Sequence, residues 1–172
     1  MSRKYVPGVW VEVHDKMQSN YRYLLEARVG RDFAPDFNPC FTPREMLAHG
    51  VFEGKYLNDC RAEFPVSWYR GAKLSEVPDP TINCFGVKSR QSLQVWQEKE
   101  WIHGDDPRGW FQWYCRYYLG RRDLVVDTIQ IRRWKGIARH AAQVRKNCPS
   151  GDRTCRPRQR QALLQWAWPP FE

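Results

Sequence analysis

The sequence predicts a single compact α+β domain, mainly α-helical, with a small N-terminal β element. Three observations carry that prediction. Residues 106–146 read as two long helices, each with its own start signal. Residues 1–33 instead alternate apolar and polar side chains at the period of a strand. The chain's 172 residues, 42% hydrophobic and 15% aromatic, suit one core and are too aromatic for a disordered chain.

Taken in order, Val9, Val11 and Val13 alternate with Trp10 and Glu12, and Tyr21, Tyr23 and Leu25 with Arg22 and Leu24. A polar loop at 14–20 joins them, so the segment forms a β-hairpin or two edge strands. Prolines at 35 and 39 break regular structure. The mainly helical core then runs over 42–168. Thr42, Pro43 and Glu45 supply cap, first-turn proline and reciprocal acid for a short helix that Gly50 ends. A short helix at 64–69 buries Trp68, 78–80 is a loop, and 89–101 is a helix marked by Leu93, Val95 and Trp96.

Asp106 before Pro107 caps the next helix, and Gly120 stops it. Trp110, Trp113, Tyr114, Tyr117 and Tyr118 share one broad face that Phe111 and Cys115 extend, leaving Gln112 and Arg116 on the narrow remainder. A helix apolar nearly all round is a buried spine. Asp127 with Gln130 starts a second helix that continues to Lys146. Its Ile131, Trp134, Ile137, Ala138, Ala141 and Val144 pack inward, while Arg132, Lys135, Arg139, Gln143 and Lys146 form a basic outer face. After a turn at 147–155, Pro157 opens a last helix whose first turn carries Arg156, Arg158 and Arg160 beside free backbone N–H groups, where a phosphate can sit.

The net charge is +9, and its placement is informative. Residues 1–86 hold 11 Lys and Arg against 11 Asp and Glu, and residues 87–172 hold 17 against 8. Such asymmetry points to a polyanion, and because 20 of the 28 cations are Arg, which forks onto phosphate and stacks on bases, nucleic acid is favoured. The expected function is therefore nucleic-acid binding, to DNA or RNA. Arg116, Arg121, Arg122, Arg132, Lys135, Arg139, Lys146, Arg156, Arg158 and Arg160 would contact phosphates, and an aromatic residue at the edge would stack on an exposed base.

The alternative is an enzyme acting on nucleic acid, glycosylase- or nuclease-like, as in DNA repair. Its site would be the turn at 53–59, where Lys55 among aromatics would be the nucleophile and Glu53 or Asp59 the acid, base or stabiliser. The bland reading of that turn is a surface ion pair around a Gly54 at positive φ. A module for an acidic protein partner and a small-molecule enzyme with a pocket among the tryptophans also stay open.

No cofactor motif appears, and no metal is expected. His103 beside Asp105 and Asp106 lacks a second histidine at ligand spacing, and no Cys-x-x-Cys pair exists. The start lacks the apolar run of a signal peptide and no segment is long enough to span a bilayer. The chain thus reads as intracellular (cytoplasm or nucleoid, or nucleus in a eukaryote), without a membrane partner and with its six cysteines as thiols.

The blocks FTPREML (41–47), GVFEGKYLNDC (50–60), GWFQWYCRYYLGRR (109–122) and CRPRQRQALL (155–164) resemble a family of small, basic, Trp-rich proteins of bacteria and some eukaryotes, over about residues 20–168. That resemblance brings no established activity and no catalytic residue. It implies that the turn at 53–60 and the two Arg clusters belong to one shared design.

Overall fold

The computed structural model describes residues 4–171, and in it the N-terminal alternation forms an antiparallel hairpin. Strand β1 (Trp10–Val13) pairs with β2 (Tyr21–Leu24) in the register Trp10 to Leu24 and Val13 to Tyr21. Helices follow: α1 (Pro43–Ala48), α2 (Leu93–Glu98), α3 (Trp110–Leu119), α4 (Leu124–Gly136), α5 (Ala138–Asn147) and α6 (Pro157–Gln165), with short 3₁₀ turns between α1 and α2. The molecule is mainly helical and α+β, as the sequence predicts. Among the described residues no helix is long and apolar enough to cross a membrane. The chain divides into two compact units: Met1–Asn38, Asp59–Pro65 and Gln91–Arg132 form the first, and Pro39–Asn58, Val66–Arg90 and Arg133–Glu172 the second.

The first unit is built on α3. Trp113, Tyr114, Cys115 and Leu119 are at most 1% exposed, so this helix is the buried spine that its composition demands. Phe37 inserts against Trp113, Tyr114 and Tyr117 with ring centroids 5.5–5.8 Å apart, in the tilted and edge-on geometries that aromatic quadrupoles favour. Gly120 ends the helix in the left-handed region, where a Cβ would lie 2.1 Å from the Ala27 carbonyl oxygen. That close approach lets the Gly120 carbonyl accept from the Glu26 and Ala27 N–H groups.

Two helix starts lie elsewhere than the sequence indicates. Gly109, not Asp106, is the N-cap of α3, and the Gln112 side chain takes the Arg108 N–H. Asp106 instead holds Arg116 and Arg121, because a fully buried carboxylate gains more from two guanidiniums than from a neutral N–H. Helix α4 begins at Leu124, capped by Asp123 through the Val125 and Val126 N–H groups. Asp127 lies inside the first turn, accepting from the Asp123 N–H at 2.9 Å and the Trp113 indole at 2.8 Å. The helix expected to run unbroken from 127 to 146 is also interrupted, since α4 ends at Gly136 and α5 starts at Ala138. The helix expected at 89–101 forms only over α2, under a Ser92 cap.

In the second unit the predicted capping box is present: the Thr42 hydroxyl accepts from the Glu45 N–H, and the Glu45 carboxylate from the Thr42 N–H. Helices α5 and α6 form a hairpin around Ile137, Ala141, Val144 and Leu163, with Trp166 and Trp168 packed alongside. A Cys148–Cys155 disulfide closes that hairpin, correcting the expectation of six thiols; Cys40, Cys60, Cys84 and Cys115 are free. Buried Gln161 and Gln165 satisfy backbone groups of the neighbouring loops at Gly50, Phe85 and Ser89.

Candidate nucleic-acid interface

The arginines of this chain fall into two populations, one inside and one outside. Arg116 has no exposure. Its Nε and Nη2 fork onto Glu63 at 2.6 and 3.0 Å, and its Nη1 reaches Asp106 at 3.1 Å. Arg121 donates to the other Asp106 oxygen at 2.6 Å. Burial opposes the charge on both guanidiniums, and Glu63 and Asp106 more than restore it, holding them above the ordinary arginine range. Arg160, 2% exposed, donates to the carbonyls of Cys155, Asp152 and Pro170. Arg122 is half-buried, 3.9 Å from the Tyr117 ring, and donates to the Tyr117, Arg121, Arg31 and Asp32 carbonyls.

All four were expected to meet phosphates, but Arg116, Arg121 and Arg160 are buried away from any such partner. Arg116, Arg121 and Arg160 fasten the interior, and Arg122 closes the C-terminal carbonyls of α3 where the helix dipole welcomes a cation.

The remaining expected cations are at the surface. Arg132 is exposed on α4, at the edge of the first unit. Lys135, Arg139, Lys146, Arg156 and Arg158 are exposed in the second unit, and Arg145 and Arg153 join them there. The sequence reading passed over those two, although Arg145 sits beside Lys146 on the polar side of α5 and its spacing could have revealed it. Residues 133–171 hold nine Lys and Arg and a single acid, Asp152. That acid is engaged locally, accepting from the Thr154 hydroxyl and N–H and the Cys155 N–H, and the Thr154 bonds lower its pKa. Burial, then the Arg139 charge, pulls His140 below the usual histidine range. At neutral pH the positive charge of residues 133–171 is therefore carried by Arg and Lys alone.

Local structure gathers Arg145, Lys146, Arg153, Arg156 and Arg158 at one end of the hairpin, whereas Arg139 lies in the first turn of α5, at its other end. Lys146 lies in the last turn of α5, the disulfide ties Cys148 to Cys155, and Arg156 and Arg158 open α6 immediately afterwards. A Gln159-to-Gln143 hydrogen bond joins the two helices on the same side. Arg156, at φ 56, is the N-cap of α6 and makes no side-chain cap bond to the first turn. Arg133 lies 5.8 Å from the half-buried Trp166 ring, placing an aromatic face within the basic unit.

The turn at 53–59 has the Gly54 at positive φ that the bland reading expects, but its ion pairing differs from both readings. Phe52, Glu53 and Gly54 have φ of 53, 59 and 71°, three successive residues in the left-handed region. Glu53 is 2% exposed; its Oε2 accepts from Arg90 at 3.1 Å, and its Oε1 has no hydrogen-bond partner among the described residues. The ion pair is thus buried, not superficial. Lys55 is exposed and donates to the Glu76 carbonyl, so water, not a ring of aromatics, surrounds its ammonium. Asp59 belongs to the first unit and pairs with Arg108 at 2.9 Å. Comparison of the chain with protein-family models, with curated proteins and with solved structures finds no match.

Proposed function

We propose that the protein binds nucleic acid through the exposed cations of α5, the disulfide loop and α6. One observation carries the reading. The first unit holds 13 Lys and Arg against 13 Asp and Glu, whereas the second holds 15 against 6, so the whole net charge of +9 resides in the second unit. A solubility coat would be spread over both units. Charge concentrated in one unit, with a net +7 on residues 133–172 and mostly as arginine, matches a phosphate backbone in sign and in bidentate geometry.

The test is a tryptophan-fluorescence titration with single- and double-stranded DNA and RNA at several salt concentrations. Wild type should bind tightly at low salt. The triple variant Arg139→Glu, Lys146→Glu, Arg158→Glu should lose at least about tenfold in affinity, while Arg28→Glu, on an exposed first-unit arginine, should change little. Equal binding by both variants would sink the reading. An equal response to any polyanion would favour an acidic protein partner instead.

A second reading, an enzyme acting on nucleic acid, draws on the left-handed run at 52–54 and the partnerless Glu53 oxygen. Strained backbone beside a buried, incompletely satisfied carboxylate is a frequent companion of catalysis. Under that reading Glu53→Gln abolishes strand cleavage or base removal and leaves affinity intact. Wild type that turns over none of these substrates excludes it.

A further inference from the structure

The first unit contains a cleft of about 290 Å³ lined by His14, Asp15, Asp59, Cys60 and Glu63 among others. Asp15 comes from the loop between β1 and β2. Cys60 and Glu63 stand three residues apart on the 3₁₀ turn Arg61–Glu63, with Cys60 at its cap position. One ligand atom from each of Asp15, Cys60 and Glu63 lies within 4.8 Å of the other two. Around a tetrahedral ion with Zn–S of about 2.3 Å and Zn–O of about 2.1 Å, ligand atoms stand about 3.4–3.6 Å apart. The three side chains therefore need to close by at most about 1.4 Å, within the reach of a side-chain adjustment.

The donors keep open lone pairs, although burial holds the Cys60 thiol far above its usual range, so the bound metal itself has to displace its proton. Cys60 is 3% exposed, faces the cleft, and its sulfur makes no hydrogen bond among the described residues. The Asp15 Oδ2 accepts one bond, from Arg108, and the Glu63 Oε2 accepts one, from Arg116, so each keeps a lone pair. The guanidiniums then hold the carboxylates in place from behind, as the outer partners of metal ligands do.

Charge balance points the same way. Two ion-pair groups around the cleft, joined through Gln18, together have four carboxylates, Asp15, Asp59, Glu63 and Asp106, against three guanidiniums, Arg108, Arg116 and Arg121. A divalent cation that binds the Cys60 sulfur as thiolate, sending its proton to water, adds one net positive charge and brings the network to zero.

We propose that Asp15, Cys60 and Glu63 form a binding site for a zinc-class divalent cation, with a fourth position open to the cleft and filled by water. Mixed sulfur and oxygen donors select a borderline-soft ion over calcium or magnesium, which take oxygen alone. The site is independent of the basic hairpin in the second unit.

The experiment uses the full chain, stripped with a chelator and titrated with Zn²⁺ and with Co²⁺ as a spectroscopic probe. One equivalent of Co²⁺ should give a thiolate-to-cobalt charge-transfer band in the near ultraviolet, with release of one proton. Cys60→Ser should abolish the band and weaken Zn²⁺ binding by about tenfold or more, while Cys40→Ser and Cys84→Ser keep both. A band that survives Cys60→Ser, or Co²⁺ binding without the band, overturns the proposal. Should Cys60→Ser not fold, X-ray absorption of the Zn²⁺-loaded wild type decides: one sulfur at about 2.3 Å with oxygen or nitrogen ligands supports the site, and an all-oxygen and nitrogen shell refutes it.

Discussion

An arginine on a helix that is buried all round must bring acids with it, because an isolated guanidinium in a dry interior is far too costly to keep. Arg116 meets that requirement twice, through Glu63 and Asp106, and it also lies 5.0 Å from the Tyr21 ring. Removing it leaves Glu63 buried with only the Tyr23 hydroxyl as a donor. Arg116→Met should therefore cost about 3–5 kcal/mol in urea unfolding, with Arg116→Lys between it and wild type, since an ammonium cannot fork onto a carboxylate. A loss below about 1 kcal/mol would show the network to be as dispensable as a surface pair. The clue to this role is present in the sequence: Gln112 and Arg116 are the narrow polar remainder of an otherwise apolar helix. The identity of the partners is not, because Glu63 lies 53 residues away and no periodicity links it to α3. The same long range hides Asp15, which shares Arg108 with Asp59, the three residues coming from separate segments of the first unit.

At the scale of elements, the sequence is legible wherever a side chain serves its own turn. The box at Thr42 and Glu45, the stop at Gly120 and the opening proline of α6 involve only neighbours in the chain. Asp106 misleads because two guanidiniums outcompete the local N–H groups for its carboxylate. Asp127 misleads because Asp123 already caps the helix, leaving Asp127 in the first turn to accept from the Asp123 N–H and the Trp113 indole. The α5–α6 hairpin shows the limit most clearly, since cysteines seven residues apart become partners only once two helices fold back on each other. Closing so short a loop should contribute about 2–3 kcal/mol through the unfolded chain. Reduction, or the double change Cys148→Ser and Cys155→Ser, should lower unfolding stability by that amount when compared in urea with and without reductant. No difference would mean that the packing of Ile137, Val144 and Leu163 holds the hairpin unaided.

For the whole molecule, composition located the excess charge in residues 87–172, and folding narrows it to one unit. That narrowing sets a measurable slope. If Lys135, Arg139, Arg145, Lys146, Arg156 and Arg158 all meet duplex phosphates, the logarithm of the binding constant should fall against the logarithm of salt with a slope of about −5. A slope near zero would leave the charge without a role in binding. Sequence could not separate the outward arginines from Arg116, Arg121 and Arg160, because burial is decided by what each meets in space rather than by residue type. The aromatic clusters obey the same logic: Trp10 and Trp101 stay half exposed while Trp113 vanishes into the core.

The disulfide loop also bears on how the chain ages. Arg153 is exposed between Cys148 and Cys155, the kind of tip a trypsin-like protease selects. A cut there severs the polypeptide without releasing α6, which stays tethered through sulfur. A nicked molecule would run intact on a non-reducing gel and come apart only when the bond is reduced.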